Sequence, residues 1–146
     1  MRRLRRGHAN RNAEDNDGDR VFGTLNQALL NATGANQNGK IIIVTSGMFA
    51  ETVTITGANV NVELEAAPGV NADVDAVLQG DPGNGARQNA PGIIVNVPGD
   101  RHVILRNLQV RNWTIGVDVR GDSHVSIEDS RVANNTNWGI RAQNRS

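Results

Sequence analysis

The sequence predicts an all-β fold in which short strands wind into the stacked coils of a parallel β-helix. Two observations carry that expectation. His102-Val-Ile-Leu-Arg-Asn-Leu-Gln-Val-Arg-Asn112 lies over His124-Val-Ser-Ile-Glu-Asp-Ser-Arg-Val-Ala-Asn134, a self-similarity with a period of about two dozen residues that signals a repeat architecture. The glycine-led runs Gly92-Ile-Ile-Val95, Gly116-Val-Asp-Val119 and Gly139-Ile-Arg-Ala142 keep the same beat. Each period therefore holds three short runs, one full coil, and about three to four coils fit the chain.

Composition bounds what such a scaffold can do. The chain has 146 residues, enough for one domain with its own core. Fifteen Lys and Arg balance fifteen Asp and Glu, so no overall field recruits nucleic acid or an acidic membrane surface. Aromatic platforms are few: Phe22, Phe49, Trp113 and Trp138, with no tyrosine. Sixteen glycines and abundant asparagine suit many tight turns, because both accept left-handed backbone conformations. With no cysteine, disulfides and thiolate metal sites are excluded and the redox compartment stays open. No apolar run approaches the roughly 20 residues needed to span a bilayer. The opening MRRLRRGHANRN carries the arginines of a signal-peptide start without an apolar stretch behind them, so no classical export signal is expected.

Taken in order, residues 1–20 are polar, charged and aperiodic, which predicts a flexible arm ahead of a β-helix domain over 21–146. The run Asp15-Asn-Asp-Gly-Asp19 suggests calcium at first sight. Its glycine is not sixth in the loop and no acid stands twelfth, so no cofactor is expected there. Thr24 can cap a helix over 24–34 through Leu25, Ala28, Leu29 and Ala32, with its apolar face covering the bottom of the first coil. Runs at 40–44, 51–56 and 59–64, turned at Ser46-Gly47 and Gly57-Ala58, read as the three strands of that coil, with Val53, Ile55, Val60, Val62 and Leu64 inside. From Ala66 to Pro91 the rhythm fades except at Val74, Val77 and Leu78. Residues 80–91 form a turn-rich insertion bearing Asp81 and Arg87, the sort of excursion that often carries function.

Beyond it, period-two alternation places Ile93, Val95, Val103, Leu105, Leu108, Val110, Val117, Val119, Val125, Ile127, Val132, Ile140 and Ala142 inside. Residues after Ala142 are too few to cover the last coil. That predicts a C-terminal continuation in a longer chain, or end-to-end self-association or a partner on that face.

Stacked coils lie about 4.8 Å apart, so residues one period apart form columns. Asn107 over Asp129 and Asn112 over Asn134 fall at corners and suit an amide ladder. Outward, Arg106 should meet Glu128 and Asp118 should meet Arg141, as exposed cross-rung ion pairs. His102 meets His124, two surface histidines with no third ligand in register, so no metal is expected. Trp113 and Trp138 precede glycine-led strands. Exposed, they would stack on sugar rings; folded inward, they would plug the coil's corners.

The helix, the Ile41-Ile-Ile-Val44 strand and Ser46-Gly-Met-Phe-Ala-Glu-Thr-Val-Thr-Ile55 together resemble the opening of the right-handed parallel β-helix, or pectin-lyase-like, superfamily. Its members commonly show Gly-x-(aromatic)-x-Glu-x-Val-x-Ile there, and Phe49 stands where tyrosine is commoner. The likeness spans residues 24–142 and implies right-handed coils, polysaccharide partners and an extracellular or periplasmic setting. Enzymes of the superfamily act on acidic polysaccharides with outward carboxylates and an arginine. Asp118, Arg120 and Arg141 are the nearest approximation here, and one carboxylate cannot build a lyase's calcium site. The Asn-Thr-Asp, Gly-His-Gly and Arg-Ile-Lys segments of polygalacturonases are absent. A glycosidase also needs two carboxyl groups about 5 to 9.5 Å apart, and Asp118 has no acidic neighbour in its column.

The sequence thus points to a non-catalytic β-helix module for carbohydrate or surface recognition. Asp81, Arg87, Trp113, Asp118, Arg120, Trp138 and Arg141 are the candidate contacts. Two alternatives stand beside it: the N-terminal portion of a lyase or hydrolase whose catalytic residues lie in later coils, and a structural or assembly component.

Overall fold

The computed structural model describes residues 2–4, 24–33, 39–56, 60–75 and 90–143. In chain order these form β1 (Arg2–Leu4), α1 (Leu25–Ala32), β2 (Lys40–Ile43), β3 (Gly47–Phe49), β4 (Val53–Thr56), β5 (Val62–Ala66), β6 (Ala72–Asp75), β7 (Pro91–Asn96), β8 (His102–Arg106), β9 (Leu108–Arg111), β10 (Ile115–Arg120), β11 (His124–Glu128), β12 (Arg131–Ala133) and β13 (Trp138–Gln143). Every pairing is parallel, and the strands stack into three sheets: β1-β2-β5-β8-β11, β3-β6-β9-β12 and β4-β7-β10-β13. From β2 onward, consecutive strands thus enter different sheets, and each strand from β5 on lies on the one three before it. The fold is a parallel β-solenoid of four coils. Val103 pairs with Val125, as the repeat requires.

The lower coils correct the strand assignment made from the sequence. No strand was expected between the turn at Ser46-Gly47 and residue 51, yet residues 47–49 are one, and β5 opens the second coil by lying on β2. Three residues are too few to display a period-two pattern, so β3 left no trace in the sequence. The second coil takes Ala72–Asp75 as its middle strand, confirming Val74 as a core residue. Val77, Leu78, Asp81 and Arg87 lie outside the described residues, as does most of the 80–91 insertion. At the N-terminus, residues 2–4 add a strand beneath β2, where the sequence pattern predicted only an arm. The rest of that arm, with the 15–19 run, is also outside the described residues.

The helix sits where its apolar face demands. Leu25, Ala28, Leu29 and Ala32 are buried, and α1 packs against β1, β2 and β4 at the bottom of the coils. Thr24 caps it by accepting a bond from Gln27 N at 3.1 Å. Glu51, from the β3–β4 corner, adds a tertiary cap: its carboxylate accepts from Leu25 N at 3.2 Å and Asn26 N at 2.9 Å. A negative group at the positive end of the helix satisfies donors that no helical carbonyl can reach. The helix ends at Ala32 with Thr33 as its C-cap, slightly before the expected Gly34.

Corners hold the stack together. Asn107, Asn112, Asp129 and Asn134 all adopt left-handed backbone, with φ of 58°, 65°, 49° and 55°. Asparagine and aspartate tolerate that conformation better than other residues with a Cβ. The columns are as expected, but the corner amides reach down to the second coil. Asn107 Nδ2 donates to Ala66 O at 3.2 Å, and Asn112 Nδ2 to Asp75 Oδ1 at 2.7 Å.

Aliphatic side chains fill the interior from Ile41 to Val117. Each fully buried Ile or Leu contributes about 1.5 to 3 kcal/mol relative to exposure. The last coil departs from the expectation. Val119, Val125, Ile127 and Val132 are only partly buried, while Ile140 is 51% exposed and Ala142 is also exposed. The alternation puts them on the inner face, but among the described residues no strand lies above β13 to cover it.

Candidate functional site

Strand β10 supplies the centre of the candidate site. Its alternation turns Val117 and Val119 inward and Asp118 and Arg120 outward. Register then fixes their neighbours: Asp118 lies between Ile94 and Arg141, and Val119 between Val95 and Ala142. One residue further, Arg120 lies against Gln143. Asp118, Arg120 and Arg141 are thus brought together as the sequence predicted.

Asp118 is outward yet has no exposed surface, because three long side chains close over it. Arg141 grips the carboxylate with a two-point fork, Nε to Oδ1 at 3.1 Å and Nη2 to Oδ2 at 3.0 Å. Arg120 donates from Nε to Oδ2 at 2.9 Å, and Gln143 Nε2 reaches Oδ1 at 3.1 Å. Burial opposes the charge, but the bonds from Arg141, Gln143 and Arg120 outweigh it and lower the carboxyl to about 2. Such an acid stays ionised at any ordinary pH. It is fully occupied as an acceptor and is poorly placed to carry protons in catalysis.

That depression has a consequence for acid stability. An unfolded aspartate titrates near 3.9, so the contribution of Asp118 is complete above about pH 4 and is lost as the pH falls toward 2. Arg120 and Arg141 are 41% and 34% exposed, and solvent screening limits the effect to about 1 to 2 kcal/mol. Burial raises the carboxyls of Glu51 and Asp73, and groups raised in the folded state act in the opposite sense, favouring the fold as acid protonates them. Comparison with Asp118→Asn isolates the Asp118 term. Urea unfolding from pH 6 to pH 2 should show the gap between wild type and variant closing below pH 4, and a constant gap contradicts the assignment.

Over the clasp lies an open depression of about 390 Å³, lined by Asn96, Arg120, Gly121, Arg141 and Gln143. Among the described residues no carboxylate lines it.

The two tryptophans part company. Trp113 is 1% exposed, and its Nε1 donates to Val74 O at 2.9 Å. It plugs the corner between the second and third sheets and offers no ring face to a sugar, which removes it from the candidate contacts. Trp138 is 54% exposed. It occupies the place that Ile115 holds one coil below, so the two indoles do not share a column. Asp81 and Arg87 belong to the segment outside the described residues.

Two charged networks escaped the sequence reading. On the second sheet, Arg111 binds Asp73 at 2.6 Å and Asp75 at 3.0 Å. On the first, Arg106 meets Glu128 at 3.3 Å, as expected, and also Glu63 at 3.4 Å and Glu65 at 3.1 Å. The alternations Val62-Glu-Leu-Glu65 and Ala72-Asp-Val-Asp75 put those acids outward in the sequence itself. What was missing was register, because the long 76–89 segment obscures which coil follows which. Asp73 and Asp75 are a pair of nearby carboxylates, but Arg111 Nε stands 3.2 Å and 3.0 Å from them and fills the gap a glycosidase leaves for its substrate. His102 and His124 do meet, with ring centroids 5.6 Å apart and the ring planes tilted by 42°. Among the described residues no group of three or more His, Cys, Asp or Glu side chains is arranged to hold a metal ion. None of their helices is long and apolar enough to cross a membrane.

No family model, curated protein or solved structure matches the chain. The solenoid architecture therefore rests on the geometry of the strands themselves.

Proposed function

We propose that the chain is a non-catalytic recognition module on a pectin-lyase-like β-helix, binding carbohydrate or a glycan-bearing surface through the third sheet. The observation that carries this reading is the state of Asp118. As the carboxylate nearest to a catalytic position, it is buried, ionised and bonded by Arg120, Arg141 and Gln143. What the clasp leaves toward solvent is a polar depression rich in guanidinium and amide groups, suited to hydroxyl and acidic oxygen atoms. The superfamily resemblance supports the same ligand class and an extracellular or periplasmic setting.

Glycan-array binding tests the reading. Wild type should give signals that Asp118→Ala combined with Arg141→Ala abolishes, and flat signals across acidic and neutral glycans contradict it. Exposed Trp138 and Ile140 favour a second reading, an assembly component whose last coil meets a partner. Light scattering that finds a monodisperse monomer at high concentration removes self-assembly from that reading.

A further inference from the structure

The clasp around Asp118 is unbalanced in charge. One carboxylate faces two guanidiniums, which leaves one positive charge in excess at the depression. Both arginines use their Nε and Nη2 groups on Asp118, the Arg120 Nη2 lying 2.8 Å from Oδ2. A guanidinium carries five N–H donors in a rigid plane, so each keeps its Nη1 edge for another acceptor. Among the described residues neither Nη1 is bonded to a protein acceptor. Bonds to the buried carboxylate hold both planes in place, so a ligand need not order them, and rotamer-rich side chains are costly to immobilise on binding.

The remaining lining completes the character of the site. Asn96 and Gln143 are neutral amides, and Gly121 contributes only backbone with φ of 63°. A neutral ligand would leave the excess charge uncompensated, whereas an anionic oxygen group matches both the charge and the paired donors. We propose that this depression is a binding site for an oxyanion, a carboxylate or a sulfate ester, gripped by the outer edges of Arg120 and Arg141. The inference deepens the recognition reading and rests on it for the glycan that carries the anion.

The experiment uses the full chain with three probes: trigalacturonate, sodium sulfate and neutral galactotriose. Titration followed through the Nε signals of Arg120 and Arg141 by NMR should show shifts with the first two and none with the third. Arg120→Gln should weaken anion binding about ten-fold or more, while leaving the Arg141–Asp118 fork and the circular dichroism spectrum intact. Arg120→Lys, which keeps the charge and loses the planar edge, should fall between. Guanidinium signals unmoved by either anion overturn the proposal, as does Arg120→Gln binding both as tightly as wild type. Sulfate binding without trigalacturonate binding upholds the oxyanion site and overturns the glycan reading. Equal binding of galactotriose and trigalacturonate, indifferent to Arg120→Gln, upholds glycan recognition and overturns the oxyanion site.

Discussion

Trp113→Ala should lower the unfolding free energy by about 3 to 5 kcal/mol, the range for deleting a large buried aromatic. Trp113 is among the largest fully buried side chains, and it joins two coils by bonding Val74 O of the coil below. Its removal opens a cavity at a corner and deletes the indole's bond to Val74 O. Because small domains hold about 5 to 15 kcal/mol in total, the variant should unfold at much lower urea. Trp113→Phe refills part of the volume but not the hydrogen bond, and should lie between. Trp138→Ala, which removes a ring already half in solvent, should cost about 1 kcal/mol or less. Equal losses at the two tryptophans would place both indoles on the surface and contradict the corner assignment.

Gly116→Ala should be the second severe variant, and Gly139→Ala its mild counterpart, although the two glycines occupy the same position in successive coils. A Cβ on Gly116 would fall 2.5 Å from Gly139 O and from Val132 Cγ1, and 2.7 Å from Asn135 Nδ2. The carbonyl belongs to the strand stacked directly above and cannot move without breaking the ladder. Overpacking of this kind costs about 1 to 3 kcal/mol, and the backbone contact puts it at the upper end. On Gly139 the same atom would meet only Val132 Cγ1 at 3.7 Å, an ordinary contact. Thermal unfolding of both variants checks the pair, and a Gly139→Ala loss matching that of Gly116→Ala sinks the explanation.

The glycine contrast shows what the sequence can and cannot convey. Gly92, Gly116 and Gly139 announce the period as identical letters, and the repeat made the upper coils legible down to the pairing of Arg106 with Glu128 and Asp118 with Arg141. It could not show that Gly116 is crowded and Gly139 open, because that depends on what is stacked above. The inward pattern was read in the same way, yet Ile140 is exposed, with no strand above β13 among the described residues. Trp113 and Trp138 looked equivalent in sequence, each just ahead of a glycine. They differ by two residues in register, and that offset puts one in a corner and the other at the surface. Lower coils were harder to read, since β3 is too short to alternate and the segment before β7 breaks the period. Asp73 and Asp75 fall in the stretch where the rhythm fades and were not picked out, and nothing local told that Arg111 would lie between them.

The same break in the period bears on how the chain finds its shape. Between the upper coils the paired strands are twenty-three residues apart, as in Ile115 with Trp138, whereas Val53 and Ile93 are separated by forty. Closing a loop costs entropy that grows only with the logarithm of its length, about 0.6 kcal/mol for each doubling. The longer tether therefore slows the joining of β4 to β7 only slightly and weakens the finished stack by little. A coil-by-coil solenoid can acquire such an excursion at small thermodynamic penalty, leaving its contents free to vary while the ladder on either side keeps its register.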